Sequence, residues 1–333
     1  VKLRDLTPAN APRSMTPLAI ALHPPLLIVL NAGSGNGEAA DARRTIETGC
    51  AAAGREHRIY EVDGPRGLQA CAREAVESAR ASQGVVVAAG GDGTINAVAQ
   101  AALGSGCAFG VLPQGTFNYF SRTHGIPNDT GQALQVLLNE EPRAVQVGLV
   151  NDRVFLVNAS LGLYAKLLED REAFKAQYGR HRWVAFWSGL LTLVRGHRPW
   201  YLHMAWHGQQ RDIRTQTLFV ANNALQLHQV GLPEADAPEQ GQLAAIALKP
   251  LGVFAMLGLL ARGALGRLGE ADGVLSFPFE SMTVRPMRSR RRVKVATDGE
   301  IGWLEMPLHF RVSPEPLWLV RPAVSPELEV TRQ

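Results

Sequence analysis

Asp92 is flanked by glycines in the run Gly90-Gly91-Asp92-Gly93-Thr94. Glycine-rich turns expose backbone N–H groups that can surround phosphate oxygens, helped by the positive end of a following helix. A carboxylate in such a turn would face like charge unless a cation intervened, so Asp92 reads as a ligand or orienter of a magnesium-bound nucleotide. An aspartate that only caps the next helix is the plainer alternative. Two further glycine turns, Asn31-Ala32-Gly33-Ser34-Gly35 and Pro113-Gln114-Gly115-Thr116, flank this one along the chain, and an acidic pair, Asp298-Gly299-Glu300, lies far downstream. Taken singly, the first turn serves equally as a tight strand-to-helix connection, and the acidic pair as a hairpin turn. No Gly-Lys-Ser or Gly-Lys-Thr follows the glycines, so the pattern is not a Walker loop, and the dinucleotide fingerprint matches poorly.

The elements that must hold these turns can be read around them. Leu26 to Leu30 is a short apolar run, a buried strand that breaks into the first glycine turn. Asp41 to Ala53 has helical composition, Arg58 to Val62 reads as a strand and Gly67 to Arg80 as a helix rich in Ala and Glu. Val85 to Ala89 is a third strand, running straight into Gly90, and Ile95 to Leu103 is the helix that opens there. Phe109 to Leu112 is a strand leading into Pro113. Strand and helix in alternation make a parallel sheet covered on both faces, with ligands outside the carboxyl ends of its strands. From about residue 145 the texture changes to short β-rich segments: Val145 to Val150, Val154 to Asn158, Trp200 to Trp206, Leu218 to Ala221 and Leu243 to Leu248. Arg182 to Arg195 and Leu251 to Leu268 read as helices among them.

At 333 residues the chain suits two domains better than one core. Its 46% hydrophobic and 19% charged residues exclude a disordered chain. A net charge of +4 is too small at this length to point to nucleic acid, although Arg288, Arg290, Arg291, Arg292 and Lys294 cluster locally. Cys50, Cys71 and Cys107 are odd in number and scattered, which suits a reducing compartment and buried, unpaired thiols. Residues 1–23 read as a flexible leader. No stretch has the roughly 20 apolar residues of a spanning helix, so the reading is cytoplasmic, with docking at the inner face of a membrane left open.

Taken in order, Asn31-Ala32-Gly33-Ser34-Gly35, Gly90-Gly91-Asp92-Gly93-Thr94-Ile95-Asn96, Leu112-Pro113-Gln114-Gly115-Thr116-Phe117-Asn118 and Asp298-Gly299-Glu300 resemble the diacylglycerol kinase catalytic family, which includes bacterial lipid kinases and sphingosine kinases. The resemblance covers about residues 24–322. It implies an N-terminal α/β domain, Rossmann-like and similar to that of phosphofructokinases and NAD kinases, over 24–145. A mainly antiparallel β-sandwich-like domain for a lipid substrate follows over 146–316, and 317–323 is a C-terminal strand free to return to the first domain. It further implies ATP-dependent phosphorylation of a lipid hydroxyl, with ATP and Mg2+ in the cleft between the domains. The nucleotide contacts fall on Asn31, Gly33, Ser34, Gly35, Gly90, Gly91, Asp92, Gly93, Thr94, Asn96, Gly115, Thr116 and Asn118. The metal falls to Asp92 and Glu300. Asp298 is the first choice for the base that takes the hydroxyl proton, with Glu300 as base or metal ligand. An NAD kinase-like soluble kinase and a relative that binds nucleotide or lipid without turnover are the alternatives.

The chain departs from the family pattern in two places near the metal. Tyr119 stands where many relatives have Asp, and Ala97 where Glu is usual. A structural magnesium that some relatives hold at an Asp-Asp-Gly turn would fall on Glu239-Gln240-Gly241, a poor match. Three bulky aromatics in Trp183 to Val194 suit either an acyl-chain pocket or packing on the sandwich core. Leu251 to Leu268, with Arg262 and Arg267, suits a membrane interface or the same packing. The partners expected are therefore a lipid substrate and a peripheral membrane surface, no nucleic acid, and with room for a homodimer.

Overall fold

The computed structural model describes residues 23–31, 38–62, 67–162, 199–288 and 290–323. Its first part alternates strand and helix: β1 (Leu26–Leu30), α1 (Glu38–Ala52), β2 (His57–Glu61), α2 (Leu68–Ser82), β3 (Val85–Gly90), α3 (Asp92–Ala102), β4 (Ala108–Pro113), α4 (Tyr119–Thr123), α5 (Thr130–Asn139) and β5 (Pro142–Val145). The four leading strands are parallel neighbours in the order β2-β1-β3-β4. Every residue of β1, β3 and β4 is buried, as expected of strands covered on both faces. One apolar core runs through the sheet and its helices, and Cys50, Cys71 and Cys107 lie in it as buried free thiols.

The second part is mainly antiparallel. It comprises β6 (Gly148–Val150), β7 (Arg153–Phe155), β8 (Asn158–Gly162), β9 (Trp200–Trp206), β10 (Gln209–Thr215), β11 (Thr217–Ala221), α6 (Ala224–Gln229), β12 (Leu243–Leu248), α7 (Val253–Ala264), β13 (Val274–Phe279), β14 (Ser281–Pro286), β15 (Arg292–Thr297), β16 (Glu300–Glu305) and β17 (Leu308–Val312). Two six-stranded sheets result, β10-β9-β14-β17-β6-β7 and β13-β12-β11-β8-β15-β16. Phe155, Leu202, Met204, Met282, Val284 and Phe310 from the first meet Leu161, Val220, Ala245, Phe279, Val293 and Val295 from the second in a single core. This is the sandwich arrangement, in which alternate residues of each strand point inward.

The last strand, β18 (Leu317–Val320), leaves the sandwich and joins the first sheet between β4 and β5, parallel to β4 and antiparallel to β5. Its Leu317, Leu319 and Val320 are buried in the first core, so the chain crosses twice between the two parts. Two β segments expected from sequence are broken. Val145 to Val150 splits at Gln146, where the chain changes sheets and the side-chain amide donates to Asn222 Oδ1 at 2.7 Å and to the Gln242 carbonyl at 3.0 Å. Val154 to Asn158 splits into β7 and β8 because the intervening N–H groups serve a carboxylate, described below. The expected helix at Leu251 to Leu268 is shorter, ending at Ala264, with Gly266 at φ +68° turning the chain away. The expected helix at Arg182 to Arg195 lies outside the described residues.

Leu319→Ala should lower the stability of the whole chain, because it opens a cavity beside strands of the first core. A loss of about 2–5 kcal/mol is expected, read as a lower urea midpoint.

Candidate active site

The carboxyl ends of β3 and β4 bring two glycine turns side by side. Gln114 N donates to the Gly90 carbonyl at 2.9 Å, and a methyl group on Gly115 would stand 3.2 Å from Gly91 Cα and 2.7 Å from Asn118 Oδ1. A side chain at Gly115 would push the two turns apart. Gly91 is the N-cap of α3, and its carbonyl accepts from the N–H groups of Thr94 and Ile95. Thr94 is buried, and its Oγ1 accepts from Asn31 Nδ2 at 3.1 Å, which ties the end of β1 to the same helix start. Gly33, Ser34 and Gly35 lie outside the described residues.

Asp92 occupies the first turn of α3. The Asn118 backbone N–H donates to its carboxylate, but Oδ1 is buried with no hydrogen-bond partner. Burial, and then the charge of Asp298, push its pKa up, against the pull of the Asn118 N–H. An orphaned, buried carboxylate oxygen is costly unless a cation meets it. A hard divalent ion, which takes oxygen ligands, suits that oxygen, but among the described residues no three His, Cys, Asp or Glu side chains are grouped to hold a metal, so the remaining ligands would come from elsewhere. Asn118 holds this turn together. At φ +47° its side chain accepts from Gly115 N at 3.1 Å and donates to the Gly115 carbonyl at 2.8 Å and to Asn128 Oδ1 at 3.0 Å. Thr116 and Phe117 are exposed at the tip of the turn, and the Phe117 ring stacks on Tyr119 at 6.2 Å.

The distal acidic pair arrives on the β15–β16 hairpin, whose turn places Asp298 at φ +48°. Asp298 Oδ1 accepts from Val157 N at 2.8 Å and Asn158 N at 2.9 Å. Oδ2 accepts from Leu156 N at 2.7 Å and Asn96 Nδ2 at 2.7 Å. Burial pushes the Asp298 carboxyl up, while these four donors pull it back down. All of its lone-pair directions are taken. It thereby pins the β7–β8 turn and the hairpin to α3. Asn96 spends its amide on the same junction, donating also to the Val154 carbonyl at 3.1 Å. Asn96 and Asn118, expected to touch nucleotide, thus spend their side chains on holding the site's backbone.

Glu300 is the freer of the two distal carboxylates. It is exposed, and a methyl group on Gly93 would stand 2.7 Å from its Oε1, so the Glu300 carboxylate lies against the first turn of α3. The positive end of the helix favours an anion there. The structure therefore brings Asp92, Asp298 and Glu300 together, with the glycine turns beside them, from positions some two hundred residues apart. Sequence reading missed the three backbone donors at Leu156, Val157 and Asn158, which carry no side-chain signal. It also missed Asn223, whose Nδ2 donates to Thr123 Oγ1 at 2.8 Å and locks α6 to α4. Behind the β7–β8 turn, Thr123, His124, Asn222, Glu239 and Arg321 line a cavity of about 440 Å³. Burial, then the Arg321 charge, lower the His124 pKa to about 3, so it is neutral.

An α/β domain with glycine turns at the carboxyl ends of its strands, joined through a carboxylate clasp to a β-sandwich, defines a class of fold that comparison with known proteins makes more specific. Residues 25–150 match the family model described as the diacylglycerol kinase catalytic domain. The first part of the chain is thus similar to the catalytic domain of diacylglycerol kinases. A protein of Klebsiella pneumoniae (strain 342) named "Probable lipid kinase YegS-like" is 39% identical over 98 residues, 28% of this chain and 33% of its own length. A protein of the same name from Pseudomonas aeruginosa (strain UCBPP-PA14) is 42% identical over 99 residues, 29% of this chain and 32% of its own length. The match thus spans about a third of the length of these relatives. The fold is shared along nearly the whole chain with a diacylglycerol kinase structure from Bacillus anthracis str. Sterne, at TM-score 0.65 and 19% identity, covering 90% of this chain and 97% of that one.

Two substitutions separate the roles of the aspartates. A carboxyl whose folded pKa is raised lowers stability as pH rises through that pKa, and the penalty vanishes below the ordinary Asp value, where both states are protonated. Asp92→Asn should therefore raise the melting temperature of the ligand-free protein at neutral pH by about 1–3 °C, with the gain disappearing in acid. Magnesium should stabilise the parent and not this variant. Asp298→Asn should instead cost about 2–4 kcal/mol, since its amide would face N–H donors left without an acceptor. Thermal melts across pH check both.

Proposed function

We propose that the protein is an ATP-dependent lipid kinase, which transfers the γ-phosphoryl group to a lipid hydroxyl. The observation that carries this reading is the orphaned Asp92 Oδ1 beside paired glycine turns, with a second, freer carboxylate, Glu300, against the same helix start. The relatives' names support a lipid as acceptor. Exposed N–H groups of the turns at Gly91 and Gly115 are suited to holding the triphosphate, and Asp92 and Glu300 to holding Mg2+, which when bound neutralises phosphate charge.

The proton of the acceptor hydroxyl needs a carboxylate with a free lone pair. Asp298 has none without displacing a donor, so Glu300 is assigned as the proton acceptor and Asp298 as the residue that positions its hairpin. As the hydroxyl oxygen bonds to the γ-phosphorus, the bond from phosphorus to the departing ADP breaks and the hydroxyl proton passes to Glu300. Asn96 fixes the hairpin's distance from α3 throughout.

Labelled ATP and extracted lipids provide the assay. Purified protein should label a lipid in the presence of Mg2+, and Glu300→Gln should cut kcat by about 10²–10⁴-fold with a smaller change in KM. Unchanged turnover in Glu300→Gln would return the base to another group. NADP formation from ATP and NAD with no labelled lipid would sink the lipid reading.

A further inference from the structure

Among the described residues six large hydrophobic side chains are exposed, and four of them, Tyr201 (44%), Leu257 (40%), Leu265 (74%) and Met287 (57%), lie on α7 or at the end of the sandwich where α7 begins. The pairing of strands places them. Tyr201 opens β9 opposite Arg214 at the close of β10, and Met287 N, just past β14, donates to the Tyr201 carbonyl at 2.9 Å. Gln216 follows β10 and exchanges two hydrogen bonds with the Leu251 backbone, at 3.2 and 3.1 Å, just before α7. Trp200, Tyr201, Arg214, Arg288 and Arg290 line a groove of about 450 Å³. Arg214 also lines a neighbouring groove, with Arg211, Asp212 and Lys249.

Cations dominate this surface: among its described lining residues Asp212, paired with His203, is the one carboxylate. Arg290 lies over the Trp200 ring at 4.7 Å and Arg214 over Tyr201 at 5.8 Å, and no carboxylate lines the groove they share. On α7, Met256 and Leu259 face inward to pack with Leu248 and Leu251. Leu257, Ala261 and Ala264 are exposed at helical spacing on the other side, with Arg262 among them. From Lys249 to Gly269 the sequence contains no Asp or Glu. A helix apolar on its outer side, carrying arginine and no acid, next to arginines interleaved with aromatics, matches the chemistry of a lipid interface with anionic headgroups.

We infer that this end of the sandwich, with the outer side of α7, is a docking surface for an anionic phospholipid bilayer. Leu257, Leu265, Tyr201 and Met287 enter the interface, while Arg214, Arg262, Arg288 and Arg290 meet the headgroup phosphates. The surface is remote from the carboxylates: β15 runs six residues, ~20 Å at about 3.3 Å per residue, from Arg292 to the turn that carries Asp298. The purpose of docking rests on the lipid-kinase reading, but the binding itself can be measured without ATP and so stands or falls separately.

The test is sedimentation of the full chain with vesicles of phosphatidylcholine, alone or mixed with phosphatidylglycerol, over a range of salt. Binding should require the anionic lipid and weaken with salt. Arg288→Gln with Arg290→Gln should weaken it about thirtyfold, and Leu257→Glu with Leu265→Glu at least as much, both variants keeping the parent's melting temperature. Asp92→Asn should bind like the parent. Equal binding to neutral and anionic vesicles, or unaltered binding by both double variants, would overturn the inference. Salt-sensitive binding of the parent, and not of the arginine variant, to an acidic protein column, with no vesicle binding by the parent, would assign the surface to a protein instead and equally overturn it.

Discussion

The clasp around Asp298 is the interaction on which the site depends. One carboxylate collects three consecutive backbone N–H groups from the β7–β8 turn and the amide of Asn96 on α3, all between 2.7 and 2.9 Å. A charge-assisted bond is stronger than a neutral one, and four on one carboxylate oppose the cost of its burial, which still holds the carboxyl above its usual range. Because Asn96 belongs to α3 and the N–H groups to the start of the sandwich, the clasp sets where the β15–β16 hairpin stands over α3. Glu300 reaches Gly93 only because of it.

Around this fixed point the site holds more negative charge than it neutralises. Asp92 is half-buried, is repelled by Asp298 and has one buried oxygen without a partner. Such an arrangement lowers the stability of the ligand-free protein, and carboxylates kept in this condition mark places where a cation or a proton is to be handled. On the resemblance drawn from the sequence, Tyr119 and Ala97 stand where acidic groups are expected, which would leave a divalent ion fewer ligands. Tyr119 instead stacks on Phe117 and lies under Arg122, whose guanidinium is 5.8 Å from its ring.

The sandwich has two chemically different ends. At one, the turns at 156–158 and 298–300 are polar and converge on α3. At the other, aromatic rings, leucines and arginines are exposed. The strands between them are apolar inside, and β15 connects the two ends directly. Separation of this kind keeps the exposed apolar and cationic groups of one end apart from the carboxylates where the sandwich meets the first sheet.

Much of the first domain was legible because its strands are continuous apolar runs ended by glycine turns, and period and punctuation survive in one dimension. The sequence by itself determined the parallel sheet, the places of the glycine turns at the ends of its strands and the presence of Asp92, Asp298 and Glu300. It could not divide the labour among the three carboxylates, since that depends on which oxygen meets which donor. Val154 to Asn158 reads as one strand from side chains alone, and only tertiary structure turns its amides toward Asp298. Likewise Leu317 to Val320 is a short apolar run whose place between β4 and β5 depends on contacts some two hundred residues back along the chain. Backbone hydrogen bonds and long-range pairings leave no mark on residue type, so the folded chain decided which carboxylate is held and which is free.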